Sequence, residues 1–322
     1  MNLFATALTY VAPSANYRGE SEENRSVIQK ITRGRFEYPI ISPEAMRNAL
    51  RETLRKYGLP CNRERLDNEE QLAVKFKDYP DPEKFADDFL FGYMVADRKQ
   101  VPTTVAEKRN LKFKRDSVLR MNMALGLEPY RHDAVFTQSP LTVKNPDAPW
   151  QNATTSALLH RETSVTAFQY PFALNLSDFG FDGPQGDQRK LWLTSLLKAV
   201  AELNDVAGNH ARSYFEMAPA SIVLRLTPAL VAGYETYGFR PDGNFPEVVD
   251  GIQVGDYPGD EFYIGGVLVR EVLAKDKKEA LEEKGVHFHR MAAAALDAVA
   301  RQACGSGFLH KAEATPDDSV AS

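Results

Sequence analysis

The stretch Asn24 to Lys56, NRSVIQKITRGRFEYPIISPEAMRNALRETLRK, decides the fold, and the other segments are arranged around it. It carries eight Lys and Arg residues against three Glu, a local net charge of +5 in a chain whose formal net charge is −5. Because the positive charge is concentrated in one segment of an acidic protein, it indicates a local site for an anionic partner and not general attraction to polyanions.

The second half of this stretch predicts a helix. Ser42 can cap it, Pro43 suits the first helical position, and Glu44 lies near the positive end of the helix dipole. An apolar stripe at helical spacing follows, formed by Met46, Leu50, Leu54 and Tyr57. Gly58 is expected to end the helix.

Three arginines recur along the same predicted helix at intervals of four residues: Arg47, Arg51 and Arg55. They share one face, offset by about 100° from the apolar stripe. On an isolated helix such a face is more often solvated than bound to a partner. Here it follows the basic segment from Lys30 to Arg35, which is predicted to be a loop, and the combination favours a surface that binds phosphate groups.

Length and composition bound the class of protein. A chain of 322 residues with 43% hydrophobic and 26% charged residues suits a globular protein with a well-buried core. The sequence shows no signal peptide and no apolar run near about 18 residues, so neither export nor membrane insertion is expected, and we expect a cytoplasmic location. Cys61 and Cys304 lie far apart and are expected to be reduced thiols.

Hydrophobic periodicity predicts the remaining elements. Strands are expected at 2–11, 134–143, 164–176, 221–227 and 267–272, and helices at 187–203 and 286–304. Residues 12–23 are polar and predict a loop, whereas the acidic segment 62–97 predicts an inserted subdomain with a short helix. The order strand, helix, strand, strand, helix, strand is typical of an α+β fold with a ferredoxin-like or RRM-type core and large insertions.

A long polar excursion lies between two of the predicted strands. Residues 144–163, KNPDAPWQNATTSALLHRET, combine two prolines with amides and hydroxyls, the composition of a hairpin-like excursion. We expect it to be dispensable for folding, because its composition cannot build a core. Trp150 stands among polar neighbours and therefore indicates contact with a partner.

Metal-binding motifs are sparse. His287 and His289 alternate at the start of a predicted helix, so they do not converge on one face. No further Cys or carboxylate set has ligand spacing, and neither a metal nor a cofactor is expected.

The segment 208–213, GNHARS, is open to two interpretations. It suits phosphate contact or a polar loop at a helix C-terminus, and His210 could act as a general base on RNA. No activated nucleophile is visible, so we do not expect an enzyme.

Single-stranded nucleic acid requires a cationic track for its phosphates and flat groups for its bases. The predicted binding residues are Arg18, Arg25, Lys30, Arg33, Arg35, Ser42, Arg47, Arg51, Trp150, His160, Arg161, Asn209, His210 and Arg212. The candidate stacking groups are Tyr17, Trp150, His160 and Tyr170. Such side chains usually belong to the core, and Trp150 stands out because its neighbours are polar.

Residues 3–57 resemble the backbone subunit of CRISPR Cascade complexes, the Cas-seven family of the RAMP superfamily, in its DevR-type branch. The shared pattern is a basic turn, a serine that opens the first helix, and basic residues one and two turns later. This chain carries it as Arg33-Gly34-Arg35, Ser42, Arg47 and Arg51. Beyond residue 57 the likeness is one of element order.

The resemblance implies a subunit that repeats along a guide RNA. A palm built on the ferredoxin-like core would hold the guide backbone, and a β-hairpin thumb from one copy would press over the next copy. The implied divisions are 1–60 (first part of the palm), 61–130 (finger-like subdomain), 131–230 (rest of the core, with the thumb at about 142–166), 231–305 (C-terminal part of the palm) and 306–322 (flexible tail).

The implied partners are the guide crRNA, a target DNA strand that pairs with the guide, further copies of the chain, and other Cascade subunits; no membrane is implied. Related subunits of RNA-cutting complexes carry an aspartate in the loop before the first helix. The predicted loop at 12–29 contains Glu20, Glu22 and Glu23 but no aspartate, which favours a non-catalytic, DNA-targeting type.

Two other functions are compatible with the same sequence. One is a guide-processing endoribonuclease on the same core, using His210 or His160; cutting of a repeat RNA at a single site would support it. The other is a protein-interaction scaffold without RNA, in which the arginine face pairs with an acidic surface. Purified protein free of nucleic acid would support the scaffold.

Overall fold

The computed structural model describes residues 1–15, 17–22, 25–68, 71–96, 112–138, 158–206 and 216–308. The α-helices are α1 (Pro43–Lys56), α2 (Ala86–Phe91), α3 (Gly186–Ala201), α4 (Pro246–Val254), α5 (Lys275–Glu283) and α6 (Ala292–Cys304). Short 3-10 helices span Leu176–Phe179 and Gly259–Glu261, and a π-helix spans Leu268–Val272. None of the helices in these ranges combines the length and apolar character that a membrane span requires.

The strands are β1 (Asn2–Leu8), β2 (Ala12–Ser14), β3 (Tyr17–Glu22), β4 (Arg25–Ile28), β5 (Lys30–Arg33), β6 (Phe36–Ile41), β7 (Arg63–Asn68), β8 (Gln71–Phe76), β9 (Tyr93–Met94), β10 (Lys114–Arg115), β11 (Leu119–Met121), β12 (Ala124–Gly126), β13 (Ala134–Gln138), β14 (Leu158–Glu162), β15 (Ser164–Thr166), β16 (Phe168–Asn175), β17 (Ser221–Thr227), β18 (Phe262–Gly266) and β19 (His287–His289).

A nine-stranded mixed sheet is the centre of the fold. Its order is β19-β18-β17-β1-β16-β12-β6-β5, and β11 also pairs with β16. β1 lies in the middle and pairs antiparallel with both β16 and β17 from Asn2 to Leu8. Every residue of β17 is buried, including Arg225, whose Nε lies 2.7 Å from Glu261 Oε2.

Helices cover one face of this main sheet. Side chains of α1, α3 and α6 pack on Leu3, Ala5 and Ala7, the residues that alternate onto that face of β1. On the opposite face, α4, α5 and residues 228–245 bury a second cluster around Phe245 and Phe262.

Residues 228–245 form a strap across the second face. Asn2 Nδ2 donates a hydrogen bond to Ala229 O at 2.8 Å, and Thr6 Oγ1 donates to Thr236 O at 3.0 Å. The strap therefore crosses the second face of the main sheet beside β1, from Asn2 at one end of the strand to Thr6.

Helix α1 forms as its sequence predicts. Ser42 is the N-cap, and its Oγ accepts a hydrogen bond from Ala45 N at 3.2 Å. The apolar stripe is fully buried at Met46, Leu50 and Leu54. The helix ends at Lys56, and Gly58 follows with φ of +85°, a left-handed backbone that glycine adopts without strain.

A second, small sheet has the order β13-β14-β4-β3. β13 and β14 pair antiparallel, from Ala134 opposite Glu162 to Gln138 opposite Leu158. β13 lies in the predicted strand at 134–143 and β14 in the predicted excursion at 144–163. The segment 139–157 that joins them lies outside the described residues. β14 falls inside the predicted thumb at 142–166, whereas β13 precedes it.

The acidic segment 62–97 divides between a separate hairpin and the core. β7 and β8 pair only with each other among the described strands. The following helix α2 buries Phe89, Leu90 and Phe91 in the main core cluster. Two further strand pairs are β2 with β15 and β9 with β10.

Four sequence predictions are wrong in detail. The predicted loop from Lys30 to Arg35 is strand β5 followed by the β5–β6 turn, because residues 30–33 pair with β6. The predicted loop at 12–23 contains β2 and β3, because pairing with β15 and β4 overrides the polar composition. The predicted strand at 267–272 is the π-helix instead, after Gly266 turns the backbone with φ of +96°. The predicted helix at 286–304 begins only at Ala292, because β19 pairs in parallel with β18.

Candidate nucleic-acid interface

The arginine face of α1 points into the protein. Arg51 is 4% exposed, and its Nε lies 3.4 Å from Asp87 Oδ2. Arg47 donates hydrogen bonds to Ser117 Oγ at 3.0 Å and to the carbonyl of Phe91. This corrects the sequence prediction: the two guanidiniums bind partners within the chain and stabilise the fold, so we no longer assign them to phosphate.

Two buried carboxylates on α2 supply the opposite charge. Asp87 accepts hydrogen bonds from the backbone N–H groups of Asn62 at 2.7 Å and Arg63 at 3.0 Å, and Asp88 accepts one from Asn62 Nδ2 at 2.9 Å. Burial, together with the charge of Asp87, raises the pKa of Asp88 to about 6. Burial lowers the pKa of Arg51 to about 10. The acidic segment thus forms the internal partner of the arginine helix.

Lys30 is paired in the same way. Its Nζ lies 3.6 Å from a carboxylate oxygen of Glu37 and 3.6 Å from one of Glu162, and 4.2 Å from the centre of the Tyr130 ring. Glu162 is buried at the end of β14 and also accepts a hydrogen bond from Ile28 N at 3.2 Å. Lys30 therefore ties β5 to β14, a structural role that replaces the predicted phosphate contact.

The β5–β6 hairpin carries the exposed part of the basic segment. Its two-residue turn is Gly34-Arg35, in which the positive φ of +66° falls on the glycine. Arg33 is 57% exposed and lies 3.8 Å from Glu235. Arg35 is exposed and forms no ion pair with any residue in the described ranges. These two arginines are available to an anionic ligand.

Four other predicted residues lie on the small sheet. Arg18 is in β3, Arg25 in β4, and His160 and Arg161 in β14. His160 pairs with Arg25 on one side and with Phe136 of β13 on the other. The backbone register thus brings predicted binding residues from distant parts of the chain into adjacent strands.

Phe136 is a surface residue that the sequence analysis missed. Its side chain is 63% exposed, and its ring centre lies 4.2 Å from that of His160. An exposed aromatic ring beside an imidazole offers flat surfaces to a nucleobase. The signal in the sequence is weak, because a phenylalanine in a short apolar strand is ordinarily a core residue.

Several predicted residues do not join this surface. Ser42 caps α1. Tyr170 is fully buried and donates a hydrogen bond to Met217 O at 2.8 Å, which rules it out as a stacking platform. The residues Trp150, Asn209, His210 and Arg212 lie outside the described residues, as does the side chain of Tyr17.

The two C-terminal histidines lie on β19 and not on a helix. The ring centres of His287 and His289 lie 4.3 and 6.4 Å from that of Tyr263. Burial and the neighbouring His287 lower the pKa of His289. Within the described part of the chain, no group of three His, Cys, Asp or Glu residues is placed to hold a metal ion.

The architecture is that of subunits in solved CRISPR assemblies. A chain of a "CRISPR RNA-guided surveillance complex, pre-nicking" superposes with a TM-score of 0.62 at 12% identity, covering 94% of this chain and 100% of that one. A chain of a "CRISPR RNA-guided surveillance complex" gives a TM-score of 0.57 at 14% identity, with 94% and 100% coverage.

The sequence is also similar to a curated protein over most of its length. It is 28% identical over 302 residues to the CRISPR-associated protein Cas7/Cst2/DevR of Myxococcus xanthus (strain DK1622), which covers 89% of this chain and 93% of that protein. No protein-family model matches the chain. The resemblance to the Cas-seven family stated from the basic turn and first helix is confirmed.

Proposed function

We propose that the chain is a crRNA-binding backbone subunit of a type I CRISPR Cascade effector complex, and that copies of it assemble along the guide. The observation that carries the proposal is the similarity to the Cas7/Cst2/DevR protein over 89% of the chain. The shared fold with surveillance-complex subunits supports it. In this role the protein holds the guide, and the target DNA strand is recognised by base pairing and not by side chains.

Two connected hairpins form the proposed guide-binding surface. Arg33 and Arg35 at the β5–β6 turn would contact phosphates, because they are exposed cations on a rigid turn. Phe136 and His160 on the β13–β14 hairpin would stack on bases. The ion pair between Lys30 and Glu162 joins the two hairpins, so one strand of RNA can contact both.

Arg18, Arg25 and Arg161 lie on β3, β4 and β14 of the same small sheet. Arg25 stands beside His160 in the register, so a phosphate backbone on the face of His160 would meet it. Arg161 alternates with His160 and stands opposite Val135, on the other face of the sheet. We retain these three arginines as proposed contacts with RNA. We omit Lys30 and Arg51, which pair with carboxylates, and Arg47, whose guanidinium donates to Ser117 and to the carbonyl of Phe91.

The centre of the main sheet supports a ferredoxin-like interpretation of the palm. Four consecutive strands have the order β17-β1-β16-β12 and are antiparallel throughout. α1 follows β1 after an insertion, and α3 follows β16, the positions of the two helices in a split βαβ arrangement. In this scheme the β13–β14 hairpin is the base of the thumb, and β7–β8 with α2 is the finger-like subdomain.

The proposal also holds that the protein binds RNA without cutting it. The imidazole of His160 lies against the ring of Phe136, an arrangement suited to stacking. A general base needs a partner that orients it toward the reacting proton. The contacts described for His160 supply an aromatic neighbour and no such partner within the described ranges.

Titration with single-stranded RNAs of increasing length, followed by native mass measurement, tests the proposal. We expect the number of bound copies to rise with RNA length and the RNA to stay intact, because equivalent subunits line up along one strand. Protein purified from its host should carry a uniform small RNA. One copy bound at every length, or RNA shortened during incubation, would contradict the proposal and support the endoribonuclease.

A further inference from the structure

Two arginines from distant parts of the chain share one exposed carboxylate. Arg33 ends β5, and its Nη2 lies 3.8 Å from Glu235 Oε1. Arg240 belongs to the strap, and its Nη2 lies 3.9 Å from Glu235 Oε2. Because each guanidinium approaches a different oxygen of the same carboxylate, the two arginines form a pair of cations around Glu235, which we call the arginine clamp.

The clamp is open to solvent, and its donors are unused. The side chains of Arg33, Glu235 and Arg240 are 57%, 42% and 53% exposed. Both nitrogen–oxygen distances exceed the range of about 2.7–3.2 Å for N–H···O hydrogen bonds. Within the described part of the chain, neither guanidinium donates a hydrogen bond to another residue. Exposed ion pairs of this kind are weak, so a better anion can displace the carboxylate.

The strap holds Arg240 on an ordered turn. The side-chain amide of Gln169, on β16, exchanges two hydrogen bonds with the backbone of Phe239, at 3.4 and 3.1 Å. Arg240 N then donates to Asn244 O at 2.9 Å, and Gly243 N donates to Arg240 O at 2.8 Å. The guanidinium of Arg240 therefore extends from a backbone that is fixed before a ligand binds, which lowers the cost of binding.

The other carboxylates of this region are already engaged. Glu247 accepts hydrogen bonds from Glu235 N at 2.9 Å and from the Tyr257 hydroxyl at 3.2 Å. Asp242 accepts one from Asn244 N at 2.9 Å. Among the carboxylates that the structure describes, Glu235 is the one that forms an ion pair with either arginine of the clamp. It is therefore the charge that an incoming anion has to replace.

The chemistry of the clamp fits a phosphodiester. A phosphodiester spreads one negative charge over two non-bridging oxygens, as a carboxylate does, so it can take the place of Glu235 beside the same two guanidiniums. Guanidinium donors bind such oxygens in forked pairs. Arg35, at the neighbouring β5–β6 turn, is exposed and can meet another phosphate of the same strand. The backbone of a single-stranded RNA supplies phosphates to all of these arginines.

We propose that Arg33 and Arg240 hold one phosphodiester of the bound RNA, and that Glu235 occupies the clamp as an internal competitor until the RNA displaces it. The inference rests on the proposed function in taking RNA as the ligand, and it adds Arg240 and Glu235 to the guide-binding surface. A free phosphate gains little by displacing Glu235, whereas a strand that also contacts Arg35 and Phe136 has further contacts that offset the exchange. Glu235 thus favours extended RNA over isolated anions.

Removal of the competitor should strengthen RNA binding. Glu235→Gln keeps the backbone hydrogen bond to Glu247 but removes the charge that opposes the phosphate. RNA affinity should rise at least about threefold at low salt, and the gain should shrink as added salt screens the charge. Glu279→Gln is the matched control, because it removes the same charge from an exposed ion pair with Lys275 on α5, and it should bind like the wild type.

Removal of the second arginine should weaken RNA binding. Arg240→Ala should reduce the slope of log K against log salt by roughly 0.7, the loss of one phosphate contact on a single strand. In a variant that lacks both arginines of the clamp, Glu235→Gln should bring no gain, because no phosphate then occupies the clamp. Fluorescence anisotropy with a single-stranded RNA measures the affinities, and circular dichroism checks that each variant is folded.

The outcomes separate this inference from the proposed function. If the wild type binds RNA, then wild-type affinity in Glu235→Gln, or the wild-type slope in Arg240→Ala, would overturn the inference alone. An equal gain in the Glu279→Gln control would also overturn it, since the effect would then be one of net charge. A wild type that binds no RNA would overturn the proposed function, and the role of the clamp with it.

Discussion

Arg51 and Asp87 form an ion pair shielded from solvent: the Arg51 Nε lies 3.4 Å from Asp87 Oδ2, and the side chains are 4% and 0% exposed. Arg51 belongs to the basic helix and Asp87 to the acidic segment. Removal of one partner from such a pair leaves the other charge buried without compensation. The row of arginines on α1 is a pattern typical of phosphate binding, but in this protein Arg51 binds the acidic segment 62–97 to the core.

Replacement of Arg51 by Ala should destabilise the protein by about 3–5 kcal/mol, because Asp87 would be left buried and unpaired. Urea unfolding followed by circular dichroism measures the free energy of unfolding. Arg33→Ala is the matched control, since Arg33 is exposed, and its stability should stay within about 0.5 kcal/mol of the wild type. Wild-type stability in Arg51→Ala together with weakened RNA binding would restore the phosphate-binding hypothesis for this helix.

The raised pKa of Asp88 predicts a pH effect of definite sign. Its pKa rises from 3.8 to about 6 in the folded protein, so between these values the folded chain holds a proton that the unfolded chain has lost. The free energy of unfolding contributed by this group therefore falls as pH rises from about 4 to about 6 and is constant above that range. One pKa unit corresponds to about 1.4 kcal/mol, which bounds the effect at about 3 kcal/mol.

Asp88→Asn should abolish this pH dependence and stabilise the protein above pH 6 by about 1–2 kcal/mol, because an amide keeps an acceptor for Asn62 without a charge. The measurement is the difference in urea midpoint between variant and wild type across the pH range. Asp87→Asn is the contrasting variant and should destabilise, since it deprives Arg51 of its partner. Equal effects of the two variants would contradict the different roles assigned to the two carboxylates.

Local signals made part of the fold predictable. The cap at Ser42, the stripe from Met46 to Leu54 and the glycine at 58 all lie within one segment, and α1 has the predicted bounds to within a residue. The strand predicted at 221–227 is β17, which has the same bounds. In both cases neighbouring residues determine the conformation.

The sequence predictions failed where the state of a side chain or strand depends on residues far along the chain. Arg51 and Lys30 are neutralised by Asp87 and Glu162, which lie 36 and 132 residues further along the chain, so the local basic pattern could not reveal that these cations are occupied. β19 forms because β18 lies beside it. The exposure of Phe136 likewise depends on which strands neighbour β13.

Removal of the two hairpin arginines should weaken RNA binding for all sequences alike. For single strands each lost phosphate contact should reduce the slope of log K against log salt by roughly 0.7, so Arg33→Ala with Arg35→Ala should reduce it by roughly 1.4. Fluorescence anisotropy at several salt concentrations measures the slope. Lys275→Ala, an exposed cation on α5, is the control. A slope that changes equally in this control would show general charge attraction and no site.

Phe136→Ala should reduce RNA affinity without changing the salt slope. Loss of a base-stacking ring costs about 1–3 kcal/mol per base, and a ring contributes no counterion release. Val135→Ala, the exposed neighbour on the same strand, should bind like the wild type. Affinity unchanged in Phe136→Ala, or lost equally in Val135→Ala, would exclude a stacking role for the ring.

The segment that is dispensable for folding has different bounds from the predicted excursion at 144–163. Replacement of 144–163 would remove β14 and with it Glu162, the partner of Lys30 and of the Ile28 N–H group. That replacement should cost about 3 kcal/mol or more, because Lys30 would lose a buried partner. Replacement of 139–157 by a short Gly/Ser turn should cost far less, since Gln138 and Leu158 are paired directly opposite each other and a short link can join them.

Thermal and urea unfolding of both variants compare these two costs in stability. Mass measurement on a long RNA shows whether the protein with the shortened hairpin still assembles with neighbouring copies. Equal stability of the two replacements would mean that β14 and the Lys30–Glu162 pair contribute little to the fold.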